Sequence, residues 1–365
     1  MRLFQNVSVD PDYTSRLHEL TKDCESFQDS VERFLDDRYC ASHILSPVLN
    51  KHPTAFLAIG DDEISQRRWA AENGLPRSAS MANILLAQIE EHRTEVFYNL
   101  DPLRYNSQFV RRLPHHVKVS LAWRAAPSRG LDLGAYNAAV CNFPSILERY
   151  RQYGWQAEYF TPAHDPEMDV YATNTDRPID VLFIGTYSRH HQRRAKILEA
   201  VSSLRNRFNL SFCLYRSRFT RLAESSFGNL LPIASYRRPA GIREVSREPV
   251  FGRNLYFMLS QAKIVLNGAV DMAGTDRGNM RCFEALGCGA LMISDQGNYP
   301  SGMENGKTLL SYANANEAVN TIESSLADIK QLQGIAHRGH EMIRSEYSKN
   351  KQWLDFQRIV SQARR

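Results

Sequence analysis

Residues 276–295 read DRGNMRCFEALGCGALMISD and bring two carboxylates and an arginine to the start of one short helix. Asp276 and Glu284 stand eight positions apart, with Arg281 between them. Met280, Phe283 and Leu286 recur at three-residue spacing as an apolar stripe, which leaves Glu284 off the stripe. Upstream, Asn267, Gly268, Gly274 and Gly278 make a small, polar loop that ends at Asp276 and runs through Asn279 into the helix. Both acids therefore reach the same opening, one from the loop and one from the helix. A carboxylate accepts two hydrogen bonds from a vicinal diol, which is how proteins grip ribose. The plainer alternative is a surface pair of Arg281 and Glu284 at i, i+3, worth a few tenths of a kcal/mol.

A second junction, FIGTYSRHHQRR, points to anion chemistry. A strand ends at Gly185, a polar turn with Thr186 follows, and a helix begins near Ser188. Glycine lets backbone approach a ligand closely, and a helix N-terminus offers unpaired N–H groups to an anion. A diphosphate suits the place, with Arg189, Arg193 and Arg194 adding charge. The alternative is an ordinary strand-to-helix connection with solvated arginines.

The elements that must hold these residues alternate. DVLFIG (180–185) is a short apolar run, as in a strand buried on both faces of a parallel sheet. A helix over 191–204 follows, with Ala195, Ile197, Leu198, Val201 and Leu204 on one face. Then come the strand LSFCLY (210–215), a helix over 254–262, the strand KIVLNG (263–268), the quoted helix, the strand ALMIS (290–294) and a helix over 315–329. In the first half TAFLAIG (54–60), EVFYNL (95–100), VKVSLAW (117–123) and AAVCNF (138–143) read as strands, with helices over 80–92 and 144–154. Residues 15–38 read as helical and charged. The stretch 161–180, rich in Pro, Asp and Thr, reads as a connection between domains. The expectation is α/β: two Rossmann-like domains facing a central cleft, 1–170 and 178–348, with a terminal helix 349–365 crossing back to the first.

Composition narrows the function classes. With 43% apolar and 23% charged residues over 365 positions, the chain is globular and long enough for two cores. A net charge of +5 favours phosphorylated ligands or an anionic membrane surface and falls short of a nucleic-acid signature. No apolar run reaches membrane-spanning length, and residues 1–13 lack a signal-peptide pattern, so a cytoplasmic location is expected. The six cysteines have no metal-site spacing and read as reduced, mostly buried thiols, with no metal expected.

DVLFIGTYSRHHQRR, AKIVLNG, DRGNMRCFEALGCGALMISD and GHEMIRSEYS, in that order, resemble the C-terminal half of the GT-B glycosyltransferases. The likeness is to the group related to the spore maturation protein CgeB and to the family-4-like retaining enzymes (glycosyl transferases group 1). SILERYRQYGWQAEYFTPAHDP is similar to the end of the N-terminal domain in that group, so the resemblance spans about residues 115–350. It implies transfer of a sugar from a nucleotide-sugar donor to a saccharide, lipid or protein acceptor, with retention of configuration and with no cofactor beyond the donor. By that likeness Asp276, where relatives usually have Glu, contacts the sugar hydroxyls near the leaving phosphate, and Glu284 contacts the ribose. Arg194 and Arg281 are favoured against the diphosphate over Arg189, Arg193 and Arg253. Gly185, Thr186, Asn267, Gly278 and Asn279 would line the donor.

The acceptor-side group should come from the first domain, where His115, His116, Asp101 and AWRAAPS (122–128) lie near strand ends. In relatives an acid tends to follow the tryptophan, whereas Arg124 follows Trp123 here. His190 and His191 are more ordinary as surface or capping residues than as catalysts. The alternatives are a silent GT-B binding protein, or a sugar-nucleotide epimerase on the same fold. Glycan or cell-envelope biosynthesis, at the inner membrane face, is the expected setting.

Overall fold

The computed structural model describes residues 1–128, 130–188, 191–226, 228, 233–268 and 273–363. By its internal contacts the chain divides into two compact units. The first comprises Met1–Ala163, Met272–Asp276 and Tyr347–Arg365; the second comprises His164–Asp271 and Arg277–Glu346.

The first unit is built on a six-stranded parallel sheet. Its strands are β1 (Leu3–Val7), β2 (Ala55–Ile59), β3 (Val96–Asn99), β4 (Val119–Trp123), β5 (Ala138–Cys141) and β6 (Ala157–Tyr159), in the order β2-β1-β3-β4-β5-β6. β1, all five residues of it buried, is an interior strand that sequence periodicity did not reveal. Its short run LFQNV carries Gln5 and Asn6 at buried positions, which masks the apolar pattern of a parallel strand. Both amides make long-range bonds in the core: Asn6 Nδ2 donates to Asn99 Oδ1 at 2.8 Å, and Gln5 Oε1 accepts from Leu45 N at 3.0 Å.

The helical stretch expected over 15–38 is two helices, Thr14–Thr21 and Phe27–Asp36. Ser26 separates them by starting the second with a reciprocal cap: its side chain accepts from Asp29 N, and Asp29 accepts from Ser26 N. The last helix, Lys349–Ala363, also belongs to this unit. Lys349 is buried there and donates to Ala41 O at 2.6 Å, Ile44 O at 2.7 Å and Gln352 Oε1 at 3.2 Å. Three neutral acceptors thus surround the ammonium.

The second unit repeats the architecture with β7 (Ile179–Thr186), β8 (Leu210–Tyr215), β9 (Ser246–Arg247), β10 (Ala262–Leu266), β11 (Leu291–Asp295) and β12 (Leu310–Tyr312). The order is β12-β11-β10-β7-β8-β9, with all neighbours parallel. Val181, Phe183, Phe212, Leu214, Ile264, Leu266, Leu291 and Ile293 fill the core between this sheet and its helices. The chain runs from β7 to β8 on one side and reaches β10 on the other, so the direction of winding reverses between β7 and β10. In such sheets the crevice at the carboxyl ends of the two strands flanking that reversal is the natural ligand site.

Two expectations need correction here. The stretch 161–180 is not a bare connection: His164, Asp165 and Met168 are buried, and Met168–Ala172 is helical. Residues 315–346 form two helices, Ala315–Ala327 and Ile329–Glu346, rather than one ending near 329. All six cysteines are free thiols, four of them buried. Among the described residues, no helix is long and apolar enough to cross a membrane, and no group of three or more His, Cys, Asp or Glu is placed to hold a metal ion.

Candidate active site

The carboxyl ends of β7 and β10 are tied together by an arginine. Arg194, on the helix Gln192–Ser202 that follows β7, donates from Nη2 to Gly268 O and from Nη1 to Thr186 Oγ1 at 3.4 Å. One guanidinium thus spans the point where the winding reverses, at the N-terminal end of an eleven-residue helix. Of the other arginines expected there, Arg193 donates to Ala313 O at 3.3 Å, and Arg189 lies outside the described residues, as does His190. Arg253 is engaged with Glu167, away from any anion role.

The loop after β10 is anchored at both ends. Asn267 Nδ2 donates to Asn279 Oδ1 at 3.1 Å, and Asn279 Nδ2 returns a bond of 3.1 Å to Asn267 Oδ1. Asn267 Nδ2 also reaches Ser294 Oγ at 3.1 Å, and Tyr312 Oη donates to Asn267 O at 2.6 Å. The two asparagines, expected to line a donor, spend their amides on each other and fix where the next helix starts. Gly278 immediately before it has φ +122°, a value that only glycine adopts without strain. Arg277, which sequence reasoning passed over, forms a buried ion pair with Asp295 at 2.7 Å and pins the loop to the end of β11. Its signal was an arginine in the quoted stretch with an acid at the end of the following strand.

The helix Met280–Gly287 is buried almost all round, from Cys282 to Gly287. The expected single apolar stripe is therefore wrong in extent, since Met280 is only half-buried and the supposed polar side is enclosed. Glu284 is 2% exposed. The alternative of a surface ion pair fails with it: Arg281 Nη1 stands 2.7 Å from Glu284 Oε2, and both side chains are largely enclosed. The approach lacks hydrogen-bond alignment, so Glu284 Oε2 and the Nε and Nη1 of Arg281 have no hydrogen-bond partner among the described residues. Burial raises the Glu284 carboxyl above its ordinary range, and the Arg281 charge only partly opposes this. A native core rarely leaves such groups unsatisfied, because each costs about 1–3 kcal/mol. A ligand carrying hydroxyl donors and anionic oxygens would satisfy all three.

Asp276 belongs to the first unit. Its Oδ2 accepts from Ser145 N at 2.7 Å, in the first turn of the helix Pro144–Gln152, and Ser145 Oγ donates to Ala273 O at 3.0 Å. The carboxylate thus has a structural task that its sequence position did not announce.

A cleft of about 600 Å³ opens in the second unit at the carboxyl ends of β7 and β8. It is lined among others by Thr186, Tyr187, Ser188, His191, Tyr215 and Arg238. Arg238 is buried, pairs bidentately with Glu224 at 2.7 and 2.8 Å, and has no partner for Nη1 among the described residues. Gly185 lies beside the lining at the end of β7, partly buried. Tyr215, Ser217, Thr220 and Ser235 to Arg238, which wall this cleft, follow no period in the sequence, which is why the sequence hid it.

On the first unit, the acceptor candidates separate. His115 and His116 precede β4, at the amino edge of the sheet and away from the edge where ligands bind. Asp101 follows β3 at the carboxyl edge and is paired with Arg104 at 3.2 Å. Asp61, unremarked in the sequence, follows β2 at the same edge. It accepts from Val9 N at 3.1 Å, and burial pushes its carboxyl up to about 6. Trp123 is buried against His43 and Phe160, while Arg124 turns to Ala126 O at 3.0 Å.

Residues 193–357 match the family model described as "Glycosyl transferase-like". Those residues carry a glycosyl transferase-like domain, and the chain has the GT-B fold. The matched residues include Arg194, Asn267, Arg281 and Glu284. The fold is shared over the full length with solved structures of low sequence identity. Anabaena HepE, solved in complex with UDP and glucose, has TM-score 0.59 and 10% identity, with 99% of each chain covered. A glycosyltransferase from Rickettsia africae has TM-score 0.56 and 10% identity, covering 99% of this chain and 98% of that one. Sucrose-phosphate synthase from Thermosynechococcus elongatus has TM-score 0.52 and 13% identity, with 99% of each covered. No curated protein sequence matches the chain.

Proposed function

We propose that the second unit holds the donor of a hexosyl transfer through Glu284, Arg281 and Arg194, and that the first unit presents the acceptor. The observation that carries this is the buried Glu284 carboxylate beside Arg281, with acceptor and donor capacity unspent, on a helix that starts at the crevice of a doubly wound sheet. In this reading the Glu284 carboxylate accepts two hydrogen bonds from the ribose diol. Arg194 and Arg281, with the N-terminus of Gln192–Ser202, meet the diphosphate, whose charge grows as the sugar departs. Fixed guanidinium groups supply that stabilisation without a metal ion. Hydroxyls and aromatic rings lining the cleft suit a ligand of nucleotide size, since ligand pockets span about 300–1,000 Å³. HepE, of the same fold, was solved with UDP-glucose, which makes a nucleoside diphosphate sugar the first donor to test.

Asp276 contacts the transferred sugar in this account, and transfer proceeds with retention. Its shorter side chain than the usual Glu narrows the reach toward the sugar. The acceptor is a saccharide, lipid-linked saccharide or protein in the cytoplasm, where six free thiols persist. The test is donor turnover: release of nucleotide and transfer of labelled sugar from a panel of UDP-, GDP-, dTDP- and CMP-sugars. Donor binding without turnover on any acceptor would favour a silent binding protein.

A further inference from the structure

The wall of the donor cleft carries a second, outward-facing surface. Between Tyr215 and Arg238 the sequence has five arginines and one glutamate, in a chain whose whole formal charge is +5. The acid is withdrawn from the surface, because Glu224 is held bidentately by Arg238. Arg216 pairs with Glu248, but Arg218 and Arg221 are exposed and have no acidic partner among the described residues. They lie on the short helix Arg218–Ala223, which Ser217 starts by accepting from Thr220 N at 3.1 Å.

That helix is divided by chemistry. Ser217 and Thr220 line the cleft. Phe219 and Leu222 are 55% and 44% exposed, and Tyr236, 48% exposed, holds its ring 5.1 Å from that of Phe219. Three exposed apolar side chains between two unpaired arginines are unusual on a soluble surface and mark an interaction site. Phe, Leu and Tyr at the level of arginine head groups are what an interfacial element offers to lipid: apolar groups for the acyl boundary and cations for the phosphates.

We propose that the face made by Arg218, Phe219, Arg221, Leu222 and Tyr236 seats the second unit on an anionic lipid surface. Charge selects this occupant. A second copy of the chain would bring arginine against arginine, and a nucleic acid would leave Phe219 and Leu222 with no apolar phase to enter. The same short helix then touches lipid on one side and lines the donor cleft on the other, so the enzyme works where a lipid-linked acceptor would lie.

The test is co-sedimentation of the full chain with vesicles of phosphatidylcholine alone and of phosphatidylcholine mixed with phosphatidylserine. Binding is expected to the mixed vesicles only and to fall with added salt. At about 1 kcal/mol per arginine near such a surface, Arg218→Gln with Arg221→Gln lowers partitioning about thirtyfold. Phe219→Ser with Leu222→Ser also weakens it, while Leu354→Ser, a leucine 66% exposed on the last helix, leaves it unchanged. Nucleotide affinity in solution should be the same for all these variants, which separates this proposal from the donor site. Equal binding to neutral vesicles, binding to neither, unaltered binding by both double variants, or a dimer in solution that the double variants abolish would overturn it.

Discussion

Arg281 and Glu284 face each other one helical turn apart, 2.7 Å between Nη1 and Oε2, in a place from which water is nearly excluded. Neither atom makes a hydrogen bond among the described residues. Partner removal at such a pair leaves an uncompensated buried charge, so the pair is a weak source of stability and a strong source of ligand affinity once a ligand completes it.

The pH dependence of donor binding follows from that burial. The Glu284 carboxyl is raised above its ordinary range by desolvation, with Arg281 opposing. Only the ionised form accepts two bonds from a diol, so binding expels a proton and affinity rises with pH through the raised value. For the free protein the sign is opposite. The folded state holds this proton above the ordinary carboxyl range, and stability therefore falls as pH rises from there through the folded-state value. Calorimetric titration at several pH values should show both slopes in the wild type and neither in Glu284→Gln.

Asp276→Ala should separate turnover from affinity. It lowers sugar transfer while leaving nucleotide affinity near that of the wild type. It also removes the acceptor of the Ser145 N–H bond at the start of Pro144–Gln152, at a cost of about 1 kcal/mol, typical of a lost helix cap. Kinetics and a thermal melt on the same sample check both parts.

Arg194→Gln should weaken donor binding more than it weakens the fold. Its charge is the one that joins Thr186 to Gly268 across the crevice, and glutamine keeps a donor without the charge. Inorganic pyrophosphate is the direct probe: its stabilisation of the wild type should drop at least tenfold in apparent affinity in the variant.

Lys349→Met tests the last helix. The substitution strands the Ile44 carbonyl and the Gln352 amide oxygen, both bonded to the ammonium, and leaves the Ala41 carbonyl with only the Ile44 N–H. Unsatisfied buried acceptors cost about 1–3 kcal/mol each, so a loss of at least about 2 kcal/mol is expected in denaturant unfolding.

Much of the second unit was legible in the sequence. Its interior strands are uninterrupted apolar runs between turn residues, so β7, β8, β10 and β11 fall within a residue or two of where the pattern puts them. β9 and β12, two and three residues long at the sheet edges, are too short to leave a period. β1 was hidden for a different reason, the two buried amides whose bonds are to residues distant in the chain. The glycine-rich loop before Glu284 was legible, whereas the complete burial of its carboxyl was not, because Arg281 and Cys282 break the expected stripe. Asn267 and Asn279, whose residue types suit a ligand, bond to each other across the loop, which no local pattern announces. Asp61 left no signal, since its raised carboxyl comes from packing around the end of β2.

The most direct test of the donor site is a thermal-shift titration of the wild type and Glu284→Ala against UDP-, GDP-, dTDP- and CMP-sugars. One nucleotide class should stabilise the wild type by about 2.7 kcal/mol at a hundredfold excess over its Kd, and the variant should lose that response while remaining folded. An equal response in the variant, or none from any nucleotide in the wild type, would contradict the assignment of Glu284 to the donor.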